Sequence, residues 1–573
     1  MHNGPGLFNA PVLTIYKRAV EYMRIFKRSL NPFKRFNVVE LELDGTVPEE
    51  EDRYLIPFIP RKRKLTVLDI ERIFHHIAFE PGIRVLLIKI RSLRIGLAKA
   101  QTIARCIREL RRNGKKVFAY LESPGNIEYM IGSGADKVFI APWAILNLIG
   151  LKAEVTFFKS LLDKAGVEAN FKGMGEYKTA AETFTRDSMS EKNREMLEAL
   201  YDDLNEKFLD YIAQGRGLSP EEAKRVIDNG PYTSKEALDE SLVDGILYEE
   251  EIKQQIQESI QQNAEIIKAS NILKLLKLKS TVRYIAQTLK GRASAIAFVS
   301  DTGIITLGES RSGGLLSKTI GTRTMLRMLE RAERDRAVRA LVLRISSPGG
   351  SGIASDLILN KLRSIARKMP VVVSMSDVAA SGGYMIALGA TKIVAESTTI
   401  TGSIGIVSGK FNLAKLYEKL GITQEYISRG RRALMYSSAR GFTEEEEQNQ
   451  LQIMEELYTD FVNKVAVSRN LEYTAAEKIS RGRVWTGKQA RELGLVDELG
   501  GVMTAVKLAM TEAGLPPDEE PLIKTISKPM GIRLPMLRTA PTVIQELDSA
   551  IQLAKALERE GVFALMPFWM DFD

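Results

Sequence analysis

Apolar positions along the chain alternate between two patterns. Short apolar stretches at 38–43, 85–90, 117–121 and 138–140 have the length and β-branched character of strands. Between the second and third, residues 98–112 carry apolar side chains at spacings of three and four, which predicts a helix. The second half repeats the order: apolar runs at 295–299, 341–345, 371–375 and 393–394, with a helix from about 353 to 368. In each half an amphipathic helical region follows, near 189–215 and 443–468, and then a short Leu-Val-Asp segment. Strands alternating with helices predict α/β units with mainly parallel sheets.

Segments of the two halves match at a constant offset. Tyr129-Met-Ile131 aligns with Tyr384-Met-Ile386, and Gly134-Ala-Asp-Lys137 with Gly389-Ala-Thr-Lys392, at an offset of 255. The same offset pairs Lys89 with Arg344, Ile149-Gly-Leu151 with Ile404-Gly-Ile406, and Gly166 with Gly421. Near the ends it slips to 253, where Thr233 meets Thr486 and Leu242-Val-Asp244 meets Leu495-Val-Asp497. The chain is a tandem duplication, and copies that share a core pattern but differ in reactive residues imply divided labour.

Composition narrows the chemistry. At 573 residues, 45% apolar and 27% charged, the chain can bury several cores and is neither disordered nor a multi-span membrane protein. One cysteine, Cys106, excludes an intramolecular disulfide framework, and three histidines are too few for a usual zinc site. No metal or other cofactor is expected. The histidines also sit outside any serine-containing constellation, so a serine enzyme built from this chain needs another base.

Two segments of the second half could hold an oxyanion and a nucleophile. Ser346-Ser-Pro-Gly-Gly350 follows a predicted strand and precedes a helix; adjacent glycines admit close backbone approach and expose N–H donors. Ala379-Ala-Ser381-Gly-Gly383 also follows a strand, which can expose a serine at the strand's carboxyl end beside the Gly382 N–H. Either segment alone reads equally as a strand-to-helix turn. The first half has Ser92-Leu-Arg-Ile95 and Asn126-Ile-Glu128 at these places, so neither feature survives there. Conversely, Lys178 in Gly175-Glu-Tyr-Lys178 corresponds to Ala433. Each half keeps what the other lacks. A serine hydroxyl needs a base, and an exposed lysine with pKa near about 10.4 is protonated at neutral pH. Burial can hold the amine neutral, and Met174, Tyr177, Ala180, Ala181 and Phe184 surround Lys178 in sequence.

Four ordered motifs carry a resemblance: Gly-Glu-Tyr-Lys178-Thr-Ala, Ser-Pro-Gly-Gly350-Ser, Ala-Ala-Ser381-Gly-Gly-Tyr and Thr401-Gly-Ser403-Ile-Gly. Over about residues 38–510 the chain resembles the signal peptide peptidase A, or protease IV, family of the long duplicated type. The resemblance implies two ClpP/crotonase-like α/β domains with helical extensions and a Ser-Lys endopeptidase that hydrolyses cleaved signal peptides or other membrane-derived peptides through an acyl-enzyme. It assigns Ser381 as nucleophile, Lys178 as general base, Ser403 as the hydroxyl that orients the lysine, and Gly350 and Gly382 as oxyanion donors. It also implies a ring- or bowl-like homo-oligomer, a tetramer. Two other readings remain at this point: a crotonase-type acyl-CoA hydratase or isomerase, and a non-catalytic membrane-associated scaffold.

The expected organisation is a basic arm over 1–36, a first domain over 37–248 that supplies the lysine, a helical connector over 249–292, a second domain over 293–515 that supplies the serine, and a tail over 516–573. The tail's apolar end, Phe563-Ala-Leu-Met-Pro-Phe-Trp-Met570, suggests a partner surface or docking on the core. No stretch reaches about 18 apolar residues without a charge, and no signal-peptide pattern is present, so neither a transmembrane helix nor a cleaved leader is predicted. Residues 1–36 hold seven basic side chains against Glu21, a net +6 of the chain's +9, and 12–30 carry a helical apolar stripe. Such an arm can lie on an anionic membrane or pack on the protein body. Peripheral membrane association is expected, on a side the sequence leaves open. Nucleic acid is not an expected partner, because no basic stripe interleaved with aromatics recurs.

Overall fold

The computed structural model describes residues 35–51, 54–55, 64–291, 293–311, 318–516, 519–528, 531–532 and 562–566. Residues 1–34 of the basic arm lie outside these residues. Each half forms a parallel sheet. The first runs, in spatial order, Ile266–Lys268, Val38–Gly45, Val85–Leu93, Lys116–Leu121, Lys137–Ile140 and Gly245–Ile246. The second runs Val484–Thr486, Ile400–Gly402, Val371–Ala380, Val338–Ser347, Ala295–Thr302 and Ile523–Ile526, with Lys392–Ala395 and Glu498–Leu499 branching from Val371–Ala380. All pairings in both are parallel except Ile400–Gly402 with Val484–Thr486. The fold is a tandem α/β duplication.

Both repeats extend past the limits read from sequence. Ile266–Lys268 pairs with the first strand of its sheet, and Ile523–Ile526 does the same in the second half. The segment 249–292 is therefore not wholly helical: its helices Ile252–Ile260 and Ala269–Leu289 flank an edge strand of the first sheet. The strand escapes a pattern reading because Ile266 and Ile267 are a run of just two apolar residues after a Gln- and Glu-rich stretch whose other isoleucines keep helical spacing.

The halves share a core. One hydrophobic cluster joins Ile103 and Ile107 of helix Leu97–Arg112 to Val342 and Val372 of the second sheet and to Val506 of helix Val502–Glu512. The first half's helices thus cover one face of the second half's sheet, which holds the two halves in fixed register. Buried charge reinforces the contact. Arg344, fully buried, donates to both carboxylate oxygens of Glu49 at 2.9 and 3.2 Å, and to Ser374 Oγ and the Met375 carbonyl. Ser376 also bonds Glu49. A buried pair like this stabilises only while both partners and their hydrogen bonds are present. It ties strand Val371–Ala380, which leads into Ser381, to the loop after the first strand of the chain.

A third sheet crosses between the halves in the order Thr319–Gly321, Ile304–Thr306, Gly349–Ser351, Val562–Leu565, Ile406–Asn412 and Glu168–Met174. Here the apolar tail docks: Phe563, Ala564 and Met566 are buried, and Val562–Leu565 runs antiparallel to both of its neighbours. Among the described residues, no helix is long and apolar enough to cross a membrane.

Candidate active site

Strand Val371–Ala380 ends at Ser381, which opens helix Gly382–Ala387. The backbone there turns sharply: Ser381 sits at φ 55°, a left-handed conformation that costs a non-glycine residue about 1–3 kcal/mol. Its N–H donates to the Gly402 carbonyl at 2.7 Å and its carbonyl accepts from Met385 N–H at 2.8 Å, so the strained turn is fixed from both sides. Ser381 is fully buried.

Lys178 arrives from the first half. Strand Glu168–Met174 pairs antiparallel with Ile406–Asn412 over seven positions, from Met174 opposite Ile406 to Glu168 opposite Asn412. Beyond Met174 the chain turns at Gly175, and Tyr177 N–H donates to the Arg481 carbonyl at 2.9 Å. This ladder brings Lys178 against Ser403, three residues before the partner strand. Lys178 Nζ lies 2.7 Å from Ser381 Oγ, 2.6 Å from the Ser403 carbonyl and 3.0 Å from Ser403 Oγ. A neutral amine has two N–H donors and one lone pair. The carbonyl can only accept, so it takes one N–H; the Ser403 hydroxyl can take the other; the lone pair then faces the Ser381 hydroxyl.

Burial drives the amine towards neutrality. Lys178 is buried, and desolvation pushes its pKa well below the usual lysine value with no opposing carboxylate contribution. The enclosing groups differ from those beside it in sequence. A methyl added at Gly405 would lie 3.0 Å from Lys178 Cδ, and one at Gly482 would lie 2.6 Å from its Cβ. Two second-half glycines, Gly405 and Gly482, thus lie against the side chain, as does Gly173 of the first half, 3.3 Å from Lys178 Cβ when given a methyl.

Gly350 and Gly382, expected as oxyanion donors, lie close together beside the serine. Gly349 and Gly350 have φ of 108° and 148°, and a Cβ at Gly350 would fall 2.2 Å from the Ile305 carbonyl oxygen, so only glycine fits this turn. A Cβ at Gly382 would lie 3.3 Å from the Gly350 nitrogen, which sets the two glycine backbones side by side. Ser381, Lys178, Ser403, Gly350 and Gly382 therefore converge within one chain.

Sequence reasoning missed the Ser403 carbonyl as a lysine partner; Ser403 has φ 50°, and nothing in a serine's identity signals that conformation. It also missed Asp377, which caps the inter-half contact by accepting from Lys99 N–H at 3.0 Å, and the tail strand. The first half's counterpart is closed. Asn126, in place of Ser381, accepts from the N–H groups of Ile149 and Gly150, each at 3.1 Å, while Glu128, in place of Gly383, accepts from Leu93 N–H at 2.6 Å and Gly125 N–H at 2.9 Å. Side-chain carboxamide and carboxylate groups there bind backbone N–H groups at the place where the second half has Ser381 and Gly383.

A buried hydroxyl 2.7 Å from a desolvated amine, with glycine backbones beside it, suits a serine hydrolase with a lysine base. The chain belongs to Peptidase family S49, whose profile matches residues 109–263 and 363–516, one stretch in each repeat, and it is a serine peptidase. The chloroplastic serine protease SPPA of Arabidopsis thaliana is 31% identical over 515 residues, 89% of this chain and 74% of that protein. Protease 4 of Salmonella typhi is 31% identical over 475 residues, 81% of this chain and 72% of that protein. Among solved structures, ClpP1 from Listeria monocytogenes aligns at 15% identity over 39% of this chain and 99% of its own, with a TM-score of 0.23, too low to carry an argument.

Proposed function

We propose that the chain is a Ser-Lys endopeptidase in which Ser381 is the nucleophile, Lys178 the general base, Ser403 the group that orients the amine, and Gly350 and Gly382 the oxyanion donors. The observation that carries this reading is the 2.7 Å separation of Lys178 Nζ and Ser381 Oγ in a buried site free of carboxylates. Neutral Lys178 takes the serine proton as Oγ attacks the peptide carbonyl. The backbone N–H groups of Gly350 and Gly382 stabilise the oxyanion, and the ammonium then protonates the departing amine. The same lysine next activates water to hydrolyse the acyl-serine. The acyl-CoA reading is disfavoured because such chemistry needs a carboxylate at the reacting centre, and the partners of Ser381 and Lys178 are hydroxyls and carbonyls.

The substrates we propose are cleaved signal peptides or other membrane-derived peptides in extended form. Support comes from the sheet between Gly349–Ser351 and Ile406–Asn412, where an extended strand fits with backbone pairing on both sides. Peripheral membrane contact through residues 12–30 would bring the enzyme to such peptides, and rests on the basic, amphipathic character of that arm.

A ring-like homo-oligomer, which we take to be a tetramer, is supported by the duplication itself. The ladder of Glu168–Met174 with Ile406–Asn412 joins the first half to the second. An offset of 255 maps its two strands onto 423–429 and 151–157, which belong to no sheet among the described residues. Residues 423–429 are exposed throughout, with Ile427 at 91%. Pairing 423–429 of one copy with 151–157 of the next would repeat the internal ladder head to tail, a heterologous contact that closes into a ring when the rotation allows. Separate Ser381→Ala and Lys178→Ala substitutions test the mechanism: each should abolish peptide cleavage with assembly intact, and retained hydrolysis in the lysine variant would reject the dyad.

A further inference from the structure

A turn of the second half, Arg481-Gly482-Arg483, touches both parties to the bond that orients the lysine. Its backbone passes through two left-handed residues, Arg481 at φ 44° and Gly482 at φ 78°. The Arg481 carbonyl accepts from Tyr177 N–H at 2.9 Å, one residue before Lys178, and the Arg483 carbonyl accepts from Ser403 N–H at 2.7 Å. Ser403 in turn receives the amine, through its carbonyl at 2.6 Å and its hydroxyl at 3.0 Å. Strand Val484–Thr486 follows directly and pairs with Ile400–Gly402, whose Gly402 carbonyl holds Ser381 N–H at 2.7 Å. Base, orienting group and nucleophile share this mount.

The Arg483 side chain fastens the mount to the first half. Its guanidinium carbon lies 4.7 Å from the centre of the Tyr177 ring and 4.9 Å from that of Trp485, so one planar cation rests over an aromatic ring from each half. Arg483 Nη1 and Tyr177 Oη both donate to Glu195 Oε1, each at 2.8 Å. A guanidinium on aromatic faces is held in orientation as well as position, which the compact ammonium of lysine is not.

The duplication separates what this junction needs from what every copy of the fold needs. The offset of 253 that aligns helices Glu191–Arg216 and Glu444–Arg469 sets Arg483 opposite Gly230, Trp485 opposite Tyr232 and Glu195 opposite Gln448. The offset of 255 sets Tyr177 opposite Arg432. Thr233 and Thr486, by contrast, are the same residue and cap equivalent helices. The guanidinium, its carboxylate and the tyrosine are present where Lys178 is present, and all three are replaced where Ala433 stands.

We propose that Arg483 is a positioning residue for the general base: resting on Tyr177 and Trp485 and paired with Glu195, it locks the Lys178 segment to Ser403 and closes the amine's slot to water. The proposal rests on the Ser-Lys reading above. Arg483 touches no reacting atom and acts through Tyr177 and Ser403. A loosened segment misplaces Nζ, and an error of about 1 Å at a reacting group costs about 10²-fold in rate. It also wets the amine, which desolvation holds well below the usual lysine pKa. The ionic groups of the turn and of the segments that clasp it, Glu176, Lys192, Glu195, Glu477, Arg481 and Arg483, pair among themselves. Arg483→Lys keeps that charge balance and gives up the planar contact.

The test is steady-state cleavage of a quenched fluorescent peptide across the pH profile, with thermal midpoints, by full chains carrying Arg483→Lys, Tyr177→Leu, both together, and Lys178→Ala. Each of the first two should lower kcat about 10–100-fold with KM within about twofold of native. Each should also move the acid limb up by about one unit as water reaches the amine. The double variant should lose no more than the worse single one, because the two side chains act as a unit. Near-native turnover in Arg483→Lys, an unmoved acid limb, or losses that multiply in the double variant overturns the positioning role. So does a loss that only tracks a lowered thermal midpoint, which would make Arg483 a stability residue. An inactive Lys178→Ala beside a native-like Arg483→Lys removes the positioning role alone, whereas hydrolysis retained by Lys178→Ala removes the dyad beneath it.

Discussion

Charge placed beside Lys178 should move the pH dependence of catalysis in a direction fixed by the geometry. Ser403 Oγ lies 3.0 Å from Lys178 Nζ, and its backbone at φ 50° is a conformation that Asp and Asn adopt more readily than most residues. Ser403→Asp and Ser403→Asn have nearly the same shape and differ by one charge. At 3.0 Å and an effective dielectric of about 20, a carboxylate and an ammonium attract by about 5.5 kcal/mol, a ceiling of about four pH units. Relaxation of the site reduces this to about two units. The carboxylate favours protonated lysine, whereas catalysis requires the free amine. The acid limb of log kcat/KM in the Asp variant should therefore lie about two units higher than in the Asn variant, with a deficit of about a hundredfold on the acid side of both limbs that closes as pH rises past the higher one. The assay is cleavage of a quenched fluorescent peptide from pH 5 to 10. Coincident limbs in the two variants would refute a neutral Lys178 as the base.

Three further outcomes follow from the same geometry. Gly382→Ala adds a methyl 2.6 Å from Ser355 Oγ and 3.3 Å from the Gly350 nitrogen, so kcat should fall about 10²–10³-fold with little change in thermal midpoint; unimpaired turnover would remove Gly382 from the anion site. Glu49→Gln leaves buried Arg344 without its counter-charge and should cost about 3–5 kcal/mol in chemical denaturation at pH 7. Burial works to raise the Glu49 pKa, but the charges of Arg344 and Lys99 and hydrogen bonds from Arg344 and Ser376 outweigh it and leave a value of about 2. Native stability from this group is present above about pH 4.5 and is lost as pH falls towards 2, so the variant should lack that part of the acid transition. Ile427→Asp puts a charge into the exposed segment 423–429 and should shift the assembly towards smaller species in light scattering; an unchanged mass would move the subunit contact elsewhere.

The strand and helix order was legible because apolar period and run length differ between sheet and helix, and the duplication doubled every signal. Ser381 and Lys178 were legible through their loss in the opposite repeat, an internal comparison that most single sequences do not offer. The depth of Lys178 was not. Part of its slot is made by Gly405 and Gly482, more than two hundred residues away, and no local pattern around position 178 encodes them. Edge strand Ile266–Lys268 was hidden because two isoleucines in a polar stretch carry almost no periodicity. The tail's apolar residues signalled docking, but its register against Gly350 depends on a gap between two strands that only the assembled sheet creates.

The central claim is that an amine from the first repeat activates an alcohol from the second. Trapping the acyl-enzyme with a peptidyl β-lactone and mapping the adduct by mass spectrometry tests it most directly. A single adduct on Ser381 in the native chain, reduced by at least about a hundredfold in rate by Lys178→Ala, is the predicted result. An adduct on another residue, or equal labelling of Ser381 without the lysine, would contradict it.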